Sequence, residues 1–174
     1  MKEHIEAFDY AREILAAIPK GVLVTAKADG RVNPMTIGWG TMGIEWGKPI
    51  FTVFIRESRY TRELLDKNPA FTVSVPMGAY DKNILCVCGT KSGRDMDKVD
   101  ALHLTLEEPE AIGVPGIREL PLTLECRVIY RQPQNPADIP QEITNRFYPQ
   151  KDGSDGDYHI AYYGQIVAAY IIRD

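Results

Sequence analysis

The feature that most constrains the fold is a series of β-rich segments with no regular alternation of strands and helices. Segments rich in β-branched and aromatic residues, with polar and apolar positions alternating, are typical of β-strands. Parallel strands need a crossover connection between them, and no such repeated rhythm is present. The sequence therefore predicts a mainly β protein, an antiparallel barrel with helices added at its rim. The predicted strands are VLVTAKA (22–28), RVNPMTIGWGTM (31–42), PIFTVFI (49–55), AFTVSVP (70–76), LTLECRVIYRQ (122–132) and YHIAYYGQIVAAYIIR (158–173).

Helical patterns are short and lie between the predicted strands. Apolar side chains at spacings of three and four predict an amphipathic helix at residues 4–18. Residues 58–67 predict a second helix, which an Asn-Pro pair ends. Residues 81–90 fit either a helix or a strand, and residues 91–103 indicate a turn followed by a short helix. The apolar face of the first helix comprises Ile5, Phe8, Ala11, Leu15 and Ile18.

Glycine, proline and polar residues mark the turns and loops. Asp29-Gly30 is a dipeptide typical of a tight β-hairpin. Gly164 predicts a kink or bulge in the last strand, because glycine inside a strand has no side chain to pack. Two prolines and two glycines in residues 107–119 indicate a loop. Residues 134–150 are expected to be mostly irregular with one helical turn, and residues 151–157 form a polar loop.

Length and composition are those of one ordinary globular domain. The 174 residues suit a single core, so residues 1–174 are expected to form one domain. The net charge of −4 argues against binding of nucleic acid, which needs a basic face. No apolar run approaches the roughly 20 residues of a membrane span, and the amphipathic N-terminus is unlike a signal peptide. Three cysteines do not suggest a disulfide scaffold, so a reducing cytoplasm is expected.

The segment IRESRYTRELL (55–65) places three arginines where the second helix begins. Cations usually favour the other end of a helix, because the N-terminus is already its positive pole. One interpretation is that Ser58 or Thr61 caps the helix and the arginines are solvated. The other is an anion site, in which free N–H groups, two hydroxyls and guanidinium groups hold a phosphate. The three arginines are Arg56, Arg59 and Arg62.

Two further segments allow both a plain and a functional interpretation. GTKSGRDMDK (89–98) fits either a surface turn or a second polar loop that holds a phosphate or polyol chain. It lacks the glycine-lysine-serine/threonine spacing of a Walker P-loop. In RVNPMTIGWGTM, glycines flank Trp39, which indicates either a bulged strand with a core tryptophan or a strand against which a planar ligand lies.

The remaining polar groups give weaker signals, and no metal site is expected. His159 lies beside tyrosines in the last predicted strand, where a histidine is more often structural than catalytic. Cys86 and Cys88 lack the partner pair of a zinc site, and in a strand they would share one face. The acidic run at residues 152–157 lacks the glutamate and glycine placement of an EF-hand, so it is expected to be solvated.

Four segments, in order, resemble the flavin reductase-like family of FMN-binding split barrels, particularly its flavoredoxin branch. They are NPMTIGW (33–39), RESRYT (56–61), CGTKSGRDMDK (88–98) and YYGQIV (162–167), and they span most of the chain. The resemblance implies a six-stranded antiparallel Greek-key split β-barrel with peripheral helices. It also implies a homodimer with the flavin near the subunit interface. Residues 133–157 do not match the family pattern and are a candidate substrate wall.

The resemblance further implies which residues hold the cofactor. The first segment would lie along the isoalloxazine ring and upper ribityl chain, and the second would hold the phosphate. The third would lie beside the phosphate and ribityl chain, and the last strand would approach the ring. In that order the residues are Asn33, Met35, Thr36, Gly38 and Trp39; Arg56, Ser58, Arg59, Tyr60 and Thr61; Ser92, Gly93, Arg94 and Lys98; and His159 and Tyr163.

The implied activity is hydride transfer from NADH or NADPH to bound FMN, with FAD the less favoured flavin. The electrons would pass on to free flavin, oxygen, a metal complex or an electron-accepting protein. Two alternatives stay open: a flavoredoxin-like electron carrier with bound FMN, and a module that binds flavin without redox turnover. No catalytic residue is named, because hydride transfer to a flavin requires no protein acid or base.

Overall fold

The computed structural model describes residues 1–150 and 156–173, and one antiparallel sheet dominates them. Its strands follow the β-branched and aromatic segments, because such side chains pack well on a pleated surface. The strands are β1 (Lys2–His4), β2 (Val22–Ala28), β3 (Arg31–Ile37), β4 (Gly40–Glu45), β5 (Lys48–Arg56), β6 (Ala70–Val75), β7 (Leu106–Glu107), β8 (Gly116–Ile117), β9 (Leu122–Pro133) and β10 (His159–Ile172).

The main sheet is open, and its two edge strands are consecutive in the sequence. The hydrogen-bonded order is β3-β2-β6-β9-β10-β5-β4, with β1 added on β10. Every pairing in the sheet is antiparallel. The chain passes from one edge to the other through Gly38 and Trp39 alone. The predicted fold class, a mainly β antiparallel split barrel with peripheral helices, is confirmed.

The strand predicted at residues 31–42 is two strands in the structure. β3 pairs with β2, whereas β4 pairs with β5 at the far edge of the sheet, so one continuous strand is impossible. A Cβ on Gly40 would lie 3.3 Å from the Phe51 ring, so glycine lets β4 begin close to β5. This division and the N-terminal strand β1 give the main sheet eight strands rather than the expected six.

Helices and short 3₁₀ turns lie between the strands, at the periphery of the sheet. No helix among the described residues is long and apolar enough to cross a membrane. The α-helices are α1 (Ala11–Ala17), α2 (Tyr60–Lys67), α3 (Lys82–Thr90), α4 (Lys98–Ala101) and α5 (Gln141–Phe147). The 3₁₀ helices are Ala7–Tyr10, Ile18–Lys20 and Pro136–Asp138.

The N-terminal segment differs from the single helix predicted at residues 4–18. Its first residues form β1, which pairs with β10, and only α1 and two flanking 3₁₀ turns are helical. This rearrangement changes which side chains face the core: Ile14 is fully buried, whereas Phe8 and Leu15 are more than two-fifths exposed. Pairing of the chain end with β10 is a long-range contact, which the local spacing of apolar residues does not reveal.

The segment at residues 81–90, which fitted either a helix or a strand, is helix α3. The Asp81 side chain caps it by accepting a hydrogen bond from the Asn83 N–H at 2.9 Å. In this helix Cys88 is buried and Cys86 is exposed, so the two thiols do not share a strand face. Leu85 packs with Leu23 of β2 in a small core cluster, which fixes the loop that follows α3 beside β3.

The residues predicted as a loop at 107–119 contain a two-residue ribbon, in which β7 pairs with β8. The fully buried carboxylate of Glu125 holds this loop against the sheet. It accepts hydrogen bonds of 2.7–3.1 Å from three consecutive backbone N–H groups, at residues 110–112. The tract at 134–150 is more helical than the predicted single turn, because it contains the seven-residue helix α5.

Gly164 is the point where the register between β9 and β10 shifts, as the predicted bulge requires. We expect Gly164→Ala to destabilise the protein by about 1–3 kcal/mol, because overpacking displaces well-packed neighbours. The new Cβ would lie 2.5 Å from the Phe71 ring and 2.8 Å from the Cβ of Cys126. Urea denaturation measures the change in the free energy of unfolding.

Gly43→Ala is the matched control for this substitution. Gly43 also lies in a strand, has no positive φ, and leaves open space around an added Cβ. Its replacement should change the free energy of unfolding by less than about 1 kcal/mol. Equal effects of the two substitutions would show that close packing at Gly164 is not the constraint.

Candidate functional site

Two adjoining clefts open where β3, β4 and β5 meet the start of α2. The strand cleft runs along the end of β3 to Trp39 and His159. The loop cleft lies between the start of α2 and residues 91–98. Met35 and Arg59 line both clefts, so these form one continuous groove. Their empty volumes of about 550 and 380 Å³ are typical of small-molecule sites, which span about 300–1,000 Å³.

The structure brings all of the predicted site residues except Tyr163 to this groove. The strand cleft is lined by Met35, Thr36, Gly38, Trp39, Arg56, Arg59 and His159. The loop cleft is lined by Asn33, Met35, Ser58, Arg59, Tyr60, Thr61, Ser92, Gly93, Arg94 and Lys98. Segments that are distant in the sequence therefore converge, as a shared ligand site requires.

Tyr163 lies elsewhere, in an exposed aromatic cluster. It is four residues beyond His159 on β10, which corresponds to about 13 Å along an extended strand. The Tyr163 ring centroid is 5.2 Å from that of Tyr130, which is 5.9 Å from that of Trp46. Trp46 is 59% exposed. The residue thus lines neither cleft of the groove.

Arg59 is the cation that the fold leaves free at the start of α2. It occupies the N-cap position, and its guanidinium has no partner among residues 1–150 and 156–173. The backbone N–H groups of Tyr60 and Thr61, in the first turn of α2, also have no acceptor in that part of the chain. Free N–H groups and the helix dipole favour an anion at this position, and an unpaired guanidinium adds to that preference.

The other two arginines of this segment are engaged by the protein itself. Arg62 donates hydrogen bonds of 3.1 Å to Asp66 and to the Glu57 carbonyl. Arg56 lines the strand cleft, yet its guanidinium donates to the carbonyls of Phe147 and Asp157 at 2.9 and 2.6 Å. The sequence hypothesis of three arginines around one anion thus reduces to Arg59.

Protein acceptors also occupy Ser58 and Arg94. The N–H and hydroxyl of Ser58 donate to the carboxylate of Asp157 at 3.0 and 2.5 Å. Arg94 pairs with Glu63, which lowers the pKa of that carboxyl group, and donates to the Ser58 carbonyl. These contacts tie the loop at residues 91–98 to the start of α2 and thereby shape the loop cleft.

Lys98 and Gly93 form the inner wall of the loop cleft. Lys98 is 3% exposed and donates hydrogen bonds to the carbonyls of Pro34 and Cys88 at 3.0 and 3.3 Å. A lysine has three N–H donors, so one is left for a ligand. Burial lowers the pKa of Lys98, and the nearby charge of Arg59 lowers it further. Lys98 therefore adds a partly desolvated cation close to Arg59.

Gly93 is required by close packing in the same wall. A Cβ at this position would lie 2.1 Å from Oδ1 of Asn33 and 2.8 Å from the Tyr60 ring. The side-chain amide of Asn33 in turn donates to the Thr61 hydroxyl at 2.9 Å. The Thr36 hydroxyl donates to the Leu85 carbonyl at 2.7 Å. These polar groups brace the wall, so the threonine hydroxyls have no hydrogen left to donate to a ligand.

Aromatic rings form the outer end of the strand cleft. The Trp39 ring lies 5.1 Å from the Phe147 ring in an edge-to-face arrangement and 4.9 Å from the His159 ring. Such contacts hold the indole at one orientation although it is 40% exposed. The tract that the sequence could not match, at residues 134–150, thus supplies part of the wall of the cleft.

Hydrogen bonds fix the tautomer of His159. The side-chain Oε1 of Gln134 accepts from the His159 N–H at 3.2 Å and from the Tyr148 hydroxyl at 2.9 Å. Because that hydroxyl has one hydrogen, Nδ1 of His159 must donate to the Tyr148 oxygen at 2.8 Å. Nε2 of His159 is then an acceptor. Burial, with the nearby charge of Arg56, lowers the pKa of His159 to about 4.

Several residues of this site were missed by the sequence analysis. Lys91 lines the loop cleft and Phe54 lines the strand cleft. Lys91 lies inside the quoted cation-rich segment, so the number of its cations was a usable signal. Gln134 and Tyr148 gave no such signal, because only the fold brings them to His159.

A sequence model described as the flavin reductase like domain matches residues 15–174. The chain belongs to the flavin reductase-like family. Two curated relatives are uncharacterized proteins: one from Archaeoglobus fulgidus, 36% identical over 97 residues, and YddH from Escherichia coli, 31% identical over 111 residues. These alignments cover 56% and 62% of this chain, and 54% and 58% of the relatives. The aligned part is therefore little more than half of each relative.

Solved structures agree with this family assignment. Flavoredoxin from Methanosarcina acetivorans is 26% identical with a TM-score of 0.66, and the match covers 88% of this chain and 68% of that protein. An FMN-binding protein from Thermus thermophilus is 25% identical with a TM-score of 0.64, covering 88% of this chain and 71% of that protein. A flavin reductase-like protein from Shewanella baltica, 18% identical with a TM-score of 0.66, shows the same fold.

Metal ligation finds no support in the described ranges, where no cluster of three or more His, Cys, Asp or Glu side chains could hold an ion. In the acidic run at 152–157, Asp157 binds Ser58 rather than facing solvent. Asp152 and Asp155 lie outside the described residues.

The buried His159 makes stability depend on pH in a defined direction. An unfolded histidine titrates near 6.5, whereas the folded side chain stays neutral to about pH 4. As the pH falls through this window, the unfolded state binds the proton first, so the folded state loses about 1–3 kcal/mol. We expect His159→Gln to remove this part of the pH dependence, as measured by urea denaturation between pH 4 and 7.

His103→Asn is the control, because His103 is exposed and asparagine tolerates its positive φ of 52°. Its pH dependence should match that of the unsubstituted protein. NMR titration of the imidazole protons gives a direct reading. A His159 signal that titrates near pH 6.5 would contradict the burial and the hydrogen bonding described above.

Proposed function

We propose that this chain binds FMN in the continuous groove, with the phosphate in the loop cleft and the ring in the strand cleft. The observation that carries the proposal is the unpaired guanidinium of Arg59 beside two free backbone N–H groups at the start of α2. A phosphate ester carries close to two negative charges at neutral pH. It would complete this donor set, which the protein otherwise leaves without an anion.

The remaining parts of the groove fit the rest of such a cofactor. Lys98 keeps one N–H free, and Ser92 keeps its hydroxyl hydrogen, because its oxygen accepts from the Arg94 N–H. Trp39 and Met35 give the strand cleft an apolar wall for a planar ring. FMN is preferred over FAD because proteins with structures like this one are described as FMN-binding.

The proposed activity is that of an NAD(P)H-dependent flavin reductase. When bound, the flavin supplies hydride-accepting chemistry that no amino-acid side chain possesses. This chain's residues hold and shield it: Arg59 and Lys98 neutralise the phosphate, and the aromatic wall excludes water. Nε2 of His159 offers an unprotonated acceptor near neutral pH, which orients any ligand with an N–H or O–H group.

A flavoredoxin-like electron carrier is the second candidate, because flavoredoxin from Methanosarcina acetivorans is among the similar structures. It would use the same FMN site with little nicotinamide activity. The homodimer that the resemblance implies stays a prediction, and sedimentation velocity decides it. The exposed cluster of Trp46, Tyr130 and Tyr163 is a surface that a second copy would cover.

Replacing Arg59 tests the proposed phosphate site. We expect Arg59→Ala to weaken FMN binding by about 10- to 150-fold, because a charge-assisted hydrogen bond contributes about 1.5–3 kcal/mol. Quenching of flavin fluorescence measures the dissociation constant. Arg62→Ala is the matched control, since Arg62 is on the same helix but pairs with Asp66. Equal affinities of the two variants, or no FMN binding by the unsubstituted protein, would refute this site.

Anaerobic reduction separates the two candidate functions. With FMN bound, we expect NADH or NADPH to bleach the flavin absorbance near 450 nm within about a second, as for an enzyme with an ordinary turnover of about 10 per second. Stopped-flow spectrophotometry measures the rate, and dithionite gives the fully reduced end point. Bleaching by dithionite but by neither nicotinamide would favour the electron carrier.

A further inference from the structure

A third cavity, the apolar cleft, adjoins the strand cleft on the side of α1. It is bounded by Leu15, Ile18, Pro19, Trp39 and Phe54, with Gln134 at one side. Gly38, Trp39 and Phe54 line both this cavity and the strand cleft, so ligands in the two would touch. Its empty volume of about 750 Å³ lies within the size range of small-molecule sites.

The walls of this cleft select for an uncharged ligand. Among the described residues that line it, none carries a charge. Apart from the indole N–H of Trp39, the only polar side-chain group is the amide of Gln134. Leu15 is 44% exposed at the mouth. Apolar walls with one or two placed polar groups are the usual construction of a site for a small organic molecule.

The orientation of the Gln134 amide is settled by its neighbours. The His159 backbone N–H can only donate, so the atom that faces it at 3.2 Å must be Oε1. The same oxygen accepts from the Tyr148 hydroxyl. The NH₂ group therefore lies on the opposite side and has no acceptor within residues 1–150 and 156–173. It is a donor without a partner at the edge of an apolar cavity.

Gly38 supports the same interpretation. A Cβ at this position would meet nothing closer than the Ile18 carbonyl at 3.9 Å, and Gly38 has no positive φ. Neither packing nor backbone conformation therefore requires a glycine here, in contrast to Gly93. The missing side chain leaves space between the apolar cleft and the strand cleft, as close approach of a ligand would need.

We propose that the apolar cleft binds an uncharged ring compound whose carbonyl-type oxygen accepts a hydrogen bond from the Gln134 NH₂ group. The compound lies on the apolar surface of Leu15, Ile18 and Phe54, with its polar end towards Gln134. Contact of this compound with a flavin ring in the strand cleft rests on the proposed function. The cleft itself is a property of the chain and does not depend on FMN.

Acetophenone is the probe, with ethylbenzene and benzoate as matched compounds that lack the acceptor oxygen or carry a charge. Ligand-observed NMR titration of the full-length chain, with and without saturating FMN, measures the three affinities. We expect acetophenone to bind about tenfold or more tightly than either comparison compound, because only it satisfies the amide donor without placing a charge in the cleft.

Gln134→Glu tests the donor directly. Its carboxylate can still accept from Tyr148 and His159, but the NH₂ donor becomes an acceptor that repels a carbonyl oxygen. We expect acetophenone affinity to fall about tenfold or more. Gln132→Glu, an exposed change two residues away with the same charge, should leave it unchanged. Leu15→Glu places a charge at the exposed mouth without disturbing the core, and it should also abolish binding.

Two results would overturn the inference: acetophenone binding no better than ethylbenzene, or equal affinities of the Gln134→Glu and Gln132→Glu proteins. A second copy of the chain seated on the cleft would produce the first result. FMN affinity, followed separately by flavin fluorescence, distinguishes the two proposals. Acetophenone binding without FMN binding supports the cleft and refutes the flavin site, whereas FMN binding alone refutes the cleft.

Discussion

The constraint on which the rest of the structure depends is the passage of the chain from one edge of the sheet to the other through Gly38 and Trp39. Since β3 and β4 pair with strands at opposite ends of the order, the sheet cannot close between them. The opening is where the clefts form, and the linking residues line two of them. An open edge normally exposes unpaired backbone groups, so helices and loops must cover it. Here α2, α3 and the loop at residues 91–98 surround that opening and carry the polar groups of the groove.

Charge is distributed in this groove by pairing, and what the pairing leaves over defines the site. Arg56, Arg62 and Arg94 each find protein acceptors, so they position segments of chain. Asp157 plays the complementary part, because its carboxylate takes both donors of Ser58. Only the guanidinium of Arg59, within the described ranges of this segment, is left with neither an acceptor nor a structural task. A free cation beside a lysine whose pKa is already lowered is an unfavourable arrangement, which an anion in the loop cleft would relieve.

The sequence was sufficient for the strand pattern, for the bulge at Gly164 and for the segments that meet at the groove. Local periodicity reports on strands, and glycine on sites of close approach, so these features are readable without the fold. It failed where long-range pairing decides: the N-terminal β1, and the division of the strand at residues 31–42. Residue type also could not separate a free arginine from a paired one, since that depends on acceptors such as Asp66. Tyr163 shows the same limit, because its distance from His159 follows from the extent of β10.

The tract between β9 and β10 matters most for what the groove can recognise. It contributes Phe147 to the aromatic wall, and through Tyr148 and Gln134 it sets the tautomer of His159. Gln134 takes part on both sides, because its oxygen serves the histidine whereas its NH₂ group is left for the apolar cleft. The ligand preferences of the strand cleft and the apolar cleft are therefore coupled through one amide. A rotation that exchanged its oxygen and nitrogen would set two N–H donors, those of Gln134 and His159, against each other. The single orientation is thus enforced by the backbone of β10, and recognition in both clefts follows from where this tract meets that strand.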